Sequence, residues 1–376
     1  VLTDACVAPA HVTELQGTGK DGMKIGIPRE VKPQEGRVAL LPAACAALIA
    51  DGHTLTVEQG AGDLSGYPDA DYAAAGAVIA DAMTTYDRSA LIVKVKEPVA
   101  ADLARLRAHH TLFCFLHLAA APELARELQS IGLTAIGFET LASASGELPL
   151  LAPMSDIAGR LATQIGTHLL HAPQGGKGLL LGGLPGAERG HVVVIGGGHA
   201  GGNAAAMAAA IGARVTVFDV RRERLADMRA LGANVTALYP YPDSISDAVA
   251  DADLLIGAAL KPGAKSPHII SRDMIASMAP GSVAVDISVD QGGCIETTRP
   301  TSYDAPTFVE LGVTHFSVTN MPGAVPRSAS QALSAALLPY VETLARADGL
   351  SNEALQQAIN VQAGQLVHPA LKESLD

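Results

Sequence analysis

The chain has no apolar run approaching the roughly 20 residues that a membrane-spanning helix needs. Its longest apolar stretches, such as 192–195 and 179–181, stop at glycine. A soluble protein is therefore expected. Basic residues are scarce too: 26 Lys and Arg stand against 38 Asp and Glu, a formal net charge of −12. Nucleic acid and anionic membrane are excluded as partners on that balance, because binding phosphate surfaces relies on clustered Lys and Arg. The four cysteines, Cys6, Cys45, Cys114 and Cys294, are far apart and show neither C-x-x-C spacing nor disulfide-dense spacing. Reduced thiols and a cytoplasmic setting follow as expectations. No metal-ligand spacing and no G-x-S-x-G nucleophile elbow occurs, so no metal is expected. No repeat of fixed period is found.

What is present is an ordinary globular composition, 48% apolar and 17% charged, in 376 residues. That length suits about two domains. Residues 1–22 carry Asp4, Glu14 and Asp21 and lack a basic start and an apolar centre, so they read as an extension rather than a signal peptide.

The most informative stretch is HVVVIGGGHAGGNAAAMAAAIGARVTVFD, residues 191–219. An apolar run meets Gly196, Gly198 and Gly201 at G-x-G-x-x-G spacing, an Ala-rich helical pattern follows, and a second apolar run ends at Asp219. Strand, turn, helix, strand and acid come in the order a dinucleotide site requires. The first glycine permits the tight turn, the second lets main-chain N–H groups approach a pyrophosphate, and the third lets helix and strand pack closely. The positive end of the helix faces the phosphates, and Asp219 accepts hydrogen bonds from the adenosine ribose. A βαβ unit whose glycines serve packing alone is the competing reading.

Upstream, strands at 24–28, 54–58, 90–94 and 111–115 alternate with helical stretches such as 42–51. This alternation indicates a parallel sheet. Residues 157, 161, 165 and 169 are apolar at helical spacing, and a second long helical pattern spans 328–345. The second finds no place in the nucleotide domain and is expected to return to the first. The fold expected is α/β, with two Rossmann-like doubly wound domains, one inserted in the other and linked by two long helices. Residues 23–149 plus 328–376 form the substrate domain and 150–327 the dinucleotide domain, with ligands in a cleft.

The first domain offers three chemical groups near strand ends. Arg37 follows the first strand, where a guanidinium suits a substrate carboxylate, although a plain surface arginine fits the same position. Lys94 and Lys96 follow an apolar strand, and at i and i+2 they face opposite ways, so one of them alone points to the ligand. His117 follows TLFCFL and is read as closing that strand, where an imidazole suits acid and base work, although a satisfied core histidine reads the same. In the second domain Asp286 and Asp290 follow an apolar strand. Asp286 is expected to be structural and Asp290 to face the nicotinamide, while His199 reads as a filler of the glycine loop.

Taken together, KIGIPREVKPQEGRVALLP, KVKEP, FLHLAA, LLAPMSDIAGRLA, GGKGLLLGGLPG, VVVIGGGHAG, GAALKPGAKSP, DISVDQGGCIE, NMPGAVPRSAS and NVQAGQLVHPAL resemble the alanine dehydrogenases. These share their fold with the first domain of proton-translocating transhydrogenase. The resemblance covers nearly all of the chain beyond Met23. It implies reversible oxidative deamination of L-alanine to pyruvate and ammonia with NAD. Arg37 and Lys96 would contact the substrate, His117 and Asp290 would handle protons, and Met154 and Asn320 would line the pocket. Ser155, Gly196, Gly198, Gly201, Asp219, Arg224, Asp290 and Asn320 would hold the cofactor, and the assembly would be a homohexamer. Arg221 and Arg222 suit a 2′-phosphate, but Asp219 would repel one, which favours NAD over NADP. A soluble transhydrogenase subunit, a dehydrogenase of larger amino acids and a non-catalytic NAD-binding regulator are the alternatives.

Overall fold

The computed structural model describes residues 22–259 and 266–375. Cys6 and, apart from Gly22, the extension read at 1–22 lie outside them. Two compact units are present: residues up to Leu151 together with those from Val325 onward, and Ala152–Ala324. The chain passes from the first to the second at Leu151/Ala152 and returns at Ala324/Val325.

The first unit opens with β1 (Lys24–Ile27), β2 (Thr54–Glu58), β3 (Val78–Ala80), β4 (Leu91–Val93), β5 (Thr111–Cys114) and β6 (Thr134–Gly137). The second holds β7 (His191–Ile195), β8 (Arg214–Phe218), β9 (Val235–Leu238), β10 (Leu254–Gly257), β11 (Val283–Asp286), β12 (Thr307–Glu310) and β13 (Val313–Phe316). Then β14 (Ile359–Gln362) and β15 (Gln365–Leu366) rejoin the first sheet.

The two sheets run β3-β2-β1-β4-β5-β6-β14-β15 and β9-β8-β7-β10-β11-β13-β12. The parallel strands of each therefore follow the doubly wound order 3-2-1-4-5-6, β13 taking the sixth place in the second sheet; β14 and β15 extend the first beyond β6, and the antiparallel β12 extends the second beyond β13. In each sheet the order reverses beside the first strand, at β1/β4 and β7/β10, and ligands bind outside the carboxyl ends there.

Central parallel strands are covered on both faces and read as continuous apolar runs, as with β4 and β7, buried throughout. Around the second sheet the core joins Val193, Phe218, Val249, Leu255, Ile275 and Ile295. The first gathers Ile92, Leu112, Leu116, Leu128, Ala135 and Val361. The helix Pro326–Leu344 starts at a proline, whose fixed φ and missing N–H suit a first helical position. It buries Ala329, Leu333, Leu337, Val341 and Leu344 along one stripe. Two serines of that stripe accept main-chain N–H groups from the segment after Arg37: Val38 to Ser330 Oγ at 2.9 Å and Leu41 to Ser334 Oγ at 3.0 Å. The loop bearing Arg37 is thus pinned to a helix almost 300 residues further on. Among the described residues no helix is long and apolar enough to cross a membrane.

Candidate active site

In the first unit the chemistry-bearing residues lie beyond the carboxyl ends of β1, β4 and β5, three strands that are neighbours across the switch point. Arg37 is buried, 2% exposed, with Nε bonded to Glu35 Oε1 at 2.7 Å and Nη2 paired to Glu35 Oε2. It is therefore a fixed guanidinium and not a surface arginine; the carboxylate two residues back sets the direction of its fork.

The two lysines after β4 separate as their spacing requires. Lys94 is 1% exposed and lies 3.3 Å from Glu30 and 3.4 Å from Asp102. Lys96 remains partly accessible, its Nζ 3.9 Å from Glu97. Glu30 also accepts the N–H groups of Val95 at 2.7 Å and Lys96 at 3.3 Å, so one buried carboxylate holds the backbone that presents Lys96. One lysine faces two acids. Burial pushes Glu30 above the usual carboxylate range, with Lys94 opposing, whereas burial works against the Lys94 charge but Glu30 and Asp102 outweigh it and raise that pKa. The ammonium persists, and the surplus acid carries the strain of burial.

His117 does not close a strand. β5 ends at Cys114, and His117 sits three residues on in the left-handed region, φ 50°, at the start of a short 3-10 turn. Its N–H donates to Glu139 Oε1 at 2.6 Å and that of Leu116 to Glu139 Oε2 at 3.1 Å. These amides leave the sheet ladder because a carboxylate satisfies them, and the imidazole stacks on Phe115 at 5.6 Å between centroids. Neither Glu30 nor Glu139 was identifiable from sequence: each acts through main-chain N–H groups of a distant segment, which leave no side-chain pattern to read.

In the second unit, Gly196 has φ +99°, and a Cβ on Gly201 would stand 1.7 Å from the Gly196 carbonyl oxygen. Those two glycines are required by the protein's own geometry. Gly198 is not: its φ is −73°, and a Cβ there would meet nothing nearer than Arg221 Nη2 at 3.8 Å. Space is left over the turn at the start of the helix His199–Ala210, where N–H groups and the helix dipole suit an anion. The packing-only reading accounts for two glycines and leaves the third unexplained, so the residues present fit a dinucleotide.

Asp219, just beyond β8, accepts the N–H of Gly197 at 2.8 Å and that of Arg221 at 2.8 Å. Burial opposes its charge, but hydrogen bonds from Arg221 and from both amides hold its pKa below the ordinary value. Arg224 lies on the following helix, 3.6 Å from Asp227. His199 reaches Asp156 at 3.2 Å.

Ser155 and Met154 occupy the first turn of the helix Ala152–Leu169, Met154 buried and Ser155 half-buried. That helix packs on His199–Ala210 through Gly159, where a Cβ would stand 1.9 Å from the Ala200 carbonyl oxygen. Asp290 is exposed in the turn Ile287–Gln291 and accepts the N–H of Asn320, φ +58°, at 3.3 Å. Asp286 is fully buried and accepts from Ser288, Cys294, Ile295 and Thr298, a structural acid. Cys45, Cys114 and Cys294 are free buried thiols. Among the described residues no cluster of metal-ligating side chains occurs.

The glycine turn, terminal acid and switch-point order define the class: a dinucleotide-binding protein of two doubly wound units. Family models described as Alanine dehydrogenase/PNT match residues 26–158, as its N-terminal domain, and 162–369, as its C-terminal domain. The chain belongs to the alanine dehydrogenase/PNT family. It is 47% identical over 359 residues to the alanine dehydrogenase of Halomonas elongata, covering 94% of this chain and 96% of that one. Against that of Bacillus subtilis it is 45% identical over 360 residues, covering 94% and 95%. A solved L-alanine dehydrogenase superposes with a TM-score of 0.90 at 47% identity, over 94% of this chain and 99% of the other. A transhydrogenase from Sinorhizobium meliloti gives 0.81 at 27% identity, over 92% and 99%.

Proposed function

We infer that the protein catalyses the reversible, NAD-dependent oxidative deamination of L-alanine to pyruvate and ammonia. The observation that carries this reading is the seating of Lys96 and His117 beyond neighbouring strands, each backbone fixed by a carboxylate, in the unit without the glycine turn.

When bound, NAD accepts the hydride from the substrate α-carbon. Arg37 and Lys96 hold the carboxylate and so fix which hydrogen faces the nicotinamide. Such orientation removes several kcal/mol from a barrier, up to about 7–11 in well-oriented systems. Glu35 keeps one edge of Arg37 occupied. In the deamination direction His117 takes a proton from water attacking the imino carbon, and Lys96 stabilises the charge developing on that oxygen. Collapse of the carbinolamine releases ammonia and leaves pyruvate.

Asp290 assists the proton transfers, and Met154 and Asn320 line the substrate pocket. Ser155, Gly196, Gly198, Gly201, Asp219, Arg224, Asp290 and Asn320 hold the dinucleotide. The substrate domain corresponds to 23–149 plus 328–376 and the dinucleotide domain to 150–327. A cytoplasmic homohexamer completes the proposal, on the family resemblance.

The likeness to a transhydrogenase at 27% identity keeps a second reading in view: a module that hands hydride to a partner protein. The 47% identity to alanine dehydrogenases favours the first. Following NADH formation with L-alanine as sole substrate decides between them. Steady turnover supports the dehydrogenase; no NADH at saturating alanine and NAD overturns it.

A further inference from the structure

Glu97 follows directly on Lys96, and its two carboxylate oxygens have different surroundings. Oε1 is paired with the ammonium of Lys32, from the loop after β1. Oε2 is enclosed, accepts no hydrogen bond among the described residues, and lies 3.9 Å from Lys96 Nζ. The side chains of Lys32, Glu97 and Lys96 are only 29%, 22% and 18% exposed, so water and salt screen this row of charges weakly. Glu97 also lines a cleft with Ala120 and Ala121, just past the His117 turn.

An enclosed carboxylate oxygen without a donor is costly unless a positive charge stands near it. The Lys96 ammonium supplies that charge. Burial works against an ionised Glu97, but the Lys96 charge and the Lys32 hydrogen bond outweigh it and hold its pKa below the ordinary carboxylate value. At 3.9 Å the contact is an attraction of charges beyond hydrogen-bond reach, and among the described residues the Lys96 ammonium has no other ion pair. Its three N–H donors are therefore not spent on the acid. Lys32 keeps them so: with Oε1 held, the carboxylate does not turn to close on Lys96. Pro98 adds stiffness, because a residue before proline is pushed toward extended backbone. The N–H of Lys96 is bonded to Glu30, so backbone and head group are each directed by a separate carboxylate.

We propose that Glu97 is a positioning residue for Lys96: anchored on one oxygen by Lys32, it steers the ammonium by charge through the other and leaves its N–H donors for the substrate carboxylate. This rests on the reading of Lys96 as a cation that holds the L-alanine carboxylate.

The test is steady-state oxidation of L-alanine with NAD by the full-length protein, for wild type, Glu97→Gln, Glu97→Asp, Lys96→Met and the double variant of Glu97→Gln with Lys96→Met. Glu97→Gln keeps the shape and removes the charge, so kcat/KM should fall about 10-fold or more, most of it as a higher KM for L-alanine. NADH affinity, titrated by fluorescence, should stay as in wild type. Glu97→Asp restores the charge and should recover part of the loss. Because Glu97 acts through Lys96, the two changes should be non-additive, the double variant being little worse than Lys96→Met alone. An acid that only supports the fold would instead lower thermal stability and leave KM unmoved. Should Glu97→Gln not fold, Lys32→Met frees Oε1 to close on Lys96 and should raise KM in the same way. A KM for L-alanine within about twofold of wild type in whichever of the two folds, or full additivity in the double variant, overturns the proposal, while wild-type turnover leaves the function standing. Failure of wild type to form NADH from L-alanine overturns both.

Discussion

Glu139 accepts the N–H of His117 at 2.6 Å, and through that one bond a side chain in the 3-10 turn Phe138–Thr140, just past the neighbouring strand β6, decides where the imidazole stands. His117 holds a left-handed backbone that a residue with a Cβ adopts at a cost, so something must over-determine it.

Removing the proposed base and removing its support should therefore have different signatures. His117→Ala should lower turnover by about 10²–10⁴-fold, the range of general acid–base catalysis, with NADH binding retained in a fluorescence titration. Unchanged turnover would take His117 out of the mechanism.

Glu139→Ala leaves two half-buried N–H groups without their acceptor, at about 1–3 kcal/mol each. Both urea midpoint and turnover should fall, and Glu139→Gln, which keeps one acceptor oxygen, should recover part of each. A variant as stable and active as wild type would show that the turn stands without it.

The glycines make a paired prediction. Gly201→Ala forces a Cβ to within 1.7 Å of a carbonyl oxygen, so the turn must deform and thermal stability should drop by several degrees. Gly198→Ala finds open space in the protein, so the melting temperature should hold while NADH affinity falls by about 10-fold or more. Equal behaviour of the two would contradict the separation of packing from ligand space.

Among the described residues Lys94 is the cation paired with two buried carboxylates, Glu30 and Asp102. Lys94→Met should cost about 3–5 kcal/mol in chemical denaturation, since it strands charge on Glu30 and Asp102. A loss below 1 kcal/mol would mean that those acids are neutral in the folded protein.

His110 gives the pH dependence. Its Nδ1 accepts the N–H of Arg107 at 2.9 Å and its Nε2 meets the Tyr86 carbonyl oxygen at 3.1 Å, so the ring is neutral with its proton on Nε2. Burial first, then the neighbouring His109, pushes its pKa from 6.5 down to about 4. The unfolded chain takes up a proton below 6.5 that the folded chain refuses. The contribution is complete above pH 6.5 and is lost as pH falls toward 4, a decline of about 3 kcal/mol. Urea midpoints measured from pH 7 to 4.5 should show it, and His110→Gln should flatten the slope.

The nucleotide half was largely legible because its signal is local: the glycines, the helix and Asp219 lie within thirty residues, and Gly196 and Gly201 answer backbone demands. Strand positions were legible too, since buried parallel strands are apolar throughout. The split between Lys94 and Lys96 was legible as an alternation but not in its sense, which depends on Glu30 and Asp102, and Asp102 lies eight residues further on. Glu30 and Glu139 escaped because carboxylates bonded to backbone carry no spacing. His117 was set one element too early, since an apolar run does not reveal where a distant acid draws its amides out of a sheet.

The antiparallel partner of β6 is β14, with Ile136 opposite Ile359, roughly 220 residues apart. A ribosome would thus release six strands of the first sheet long before the seventh exists, leaving a naked hydrogen-bonding edge while the whole inserted unit is still being made. Nascent chains of this protein should be vulnerable at that edge to mispairing and to chaperone capture, and a truncation that removes β14 would leave the exposure permanent.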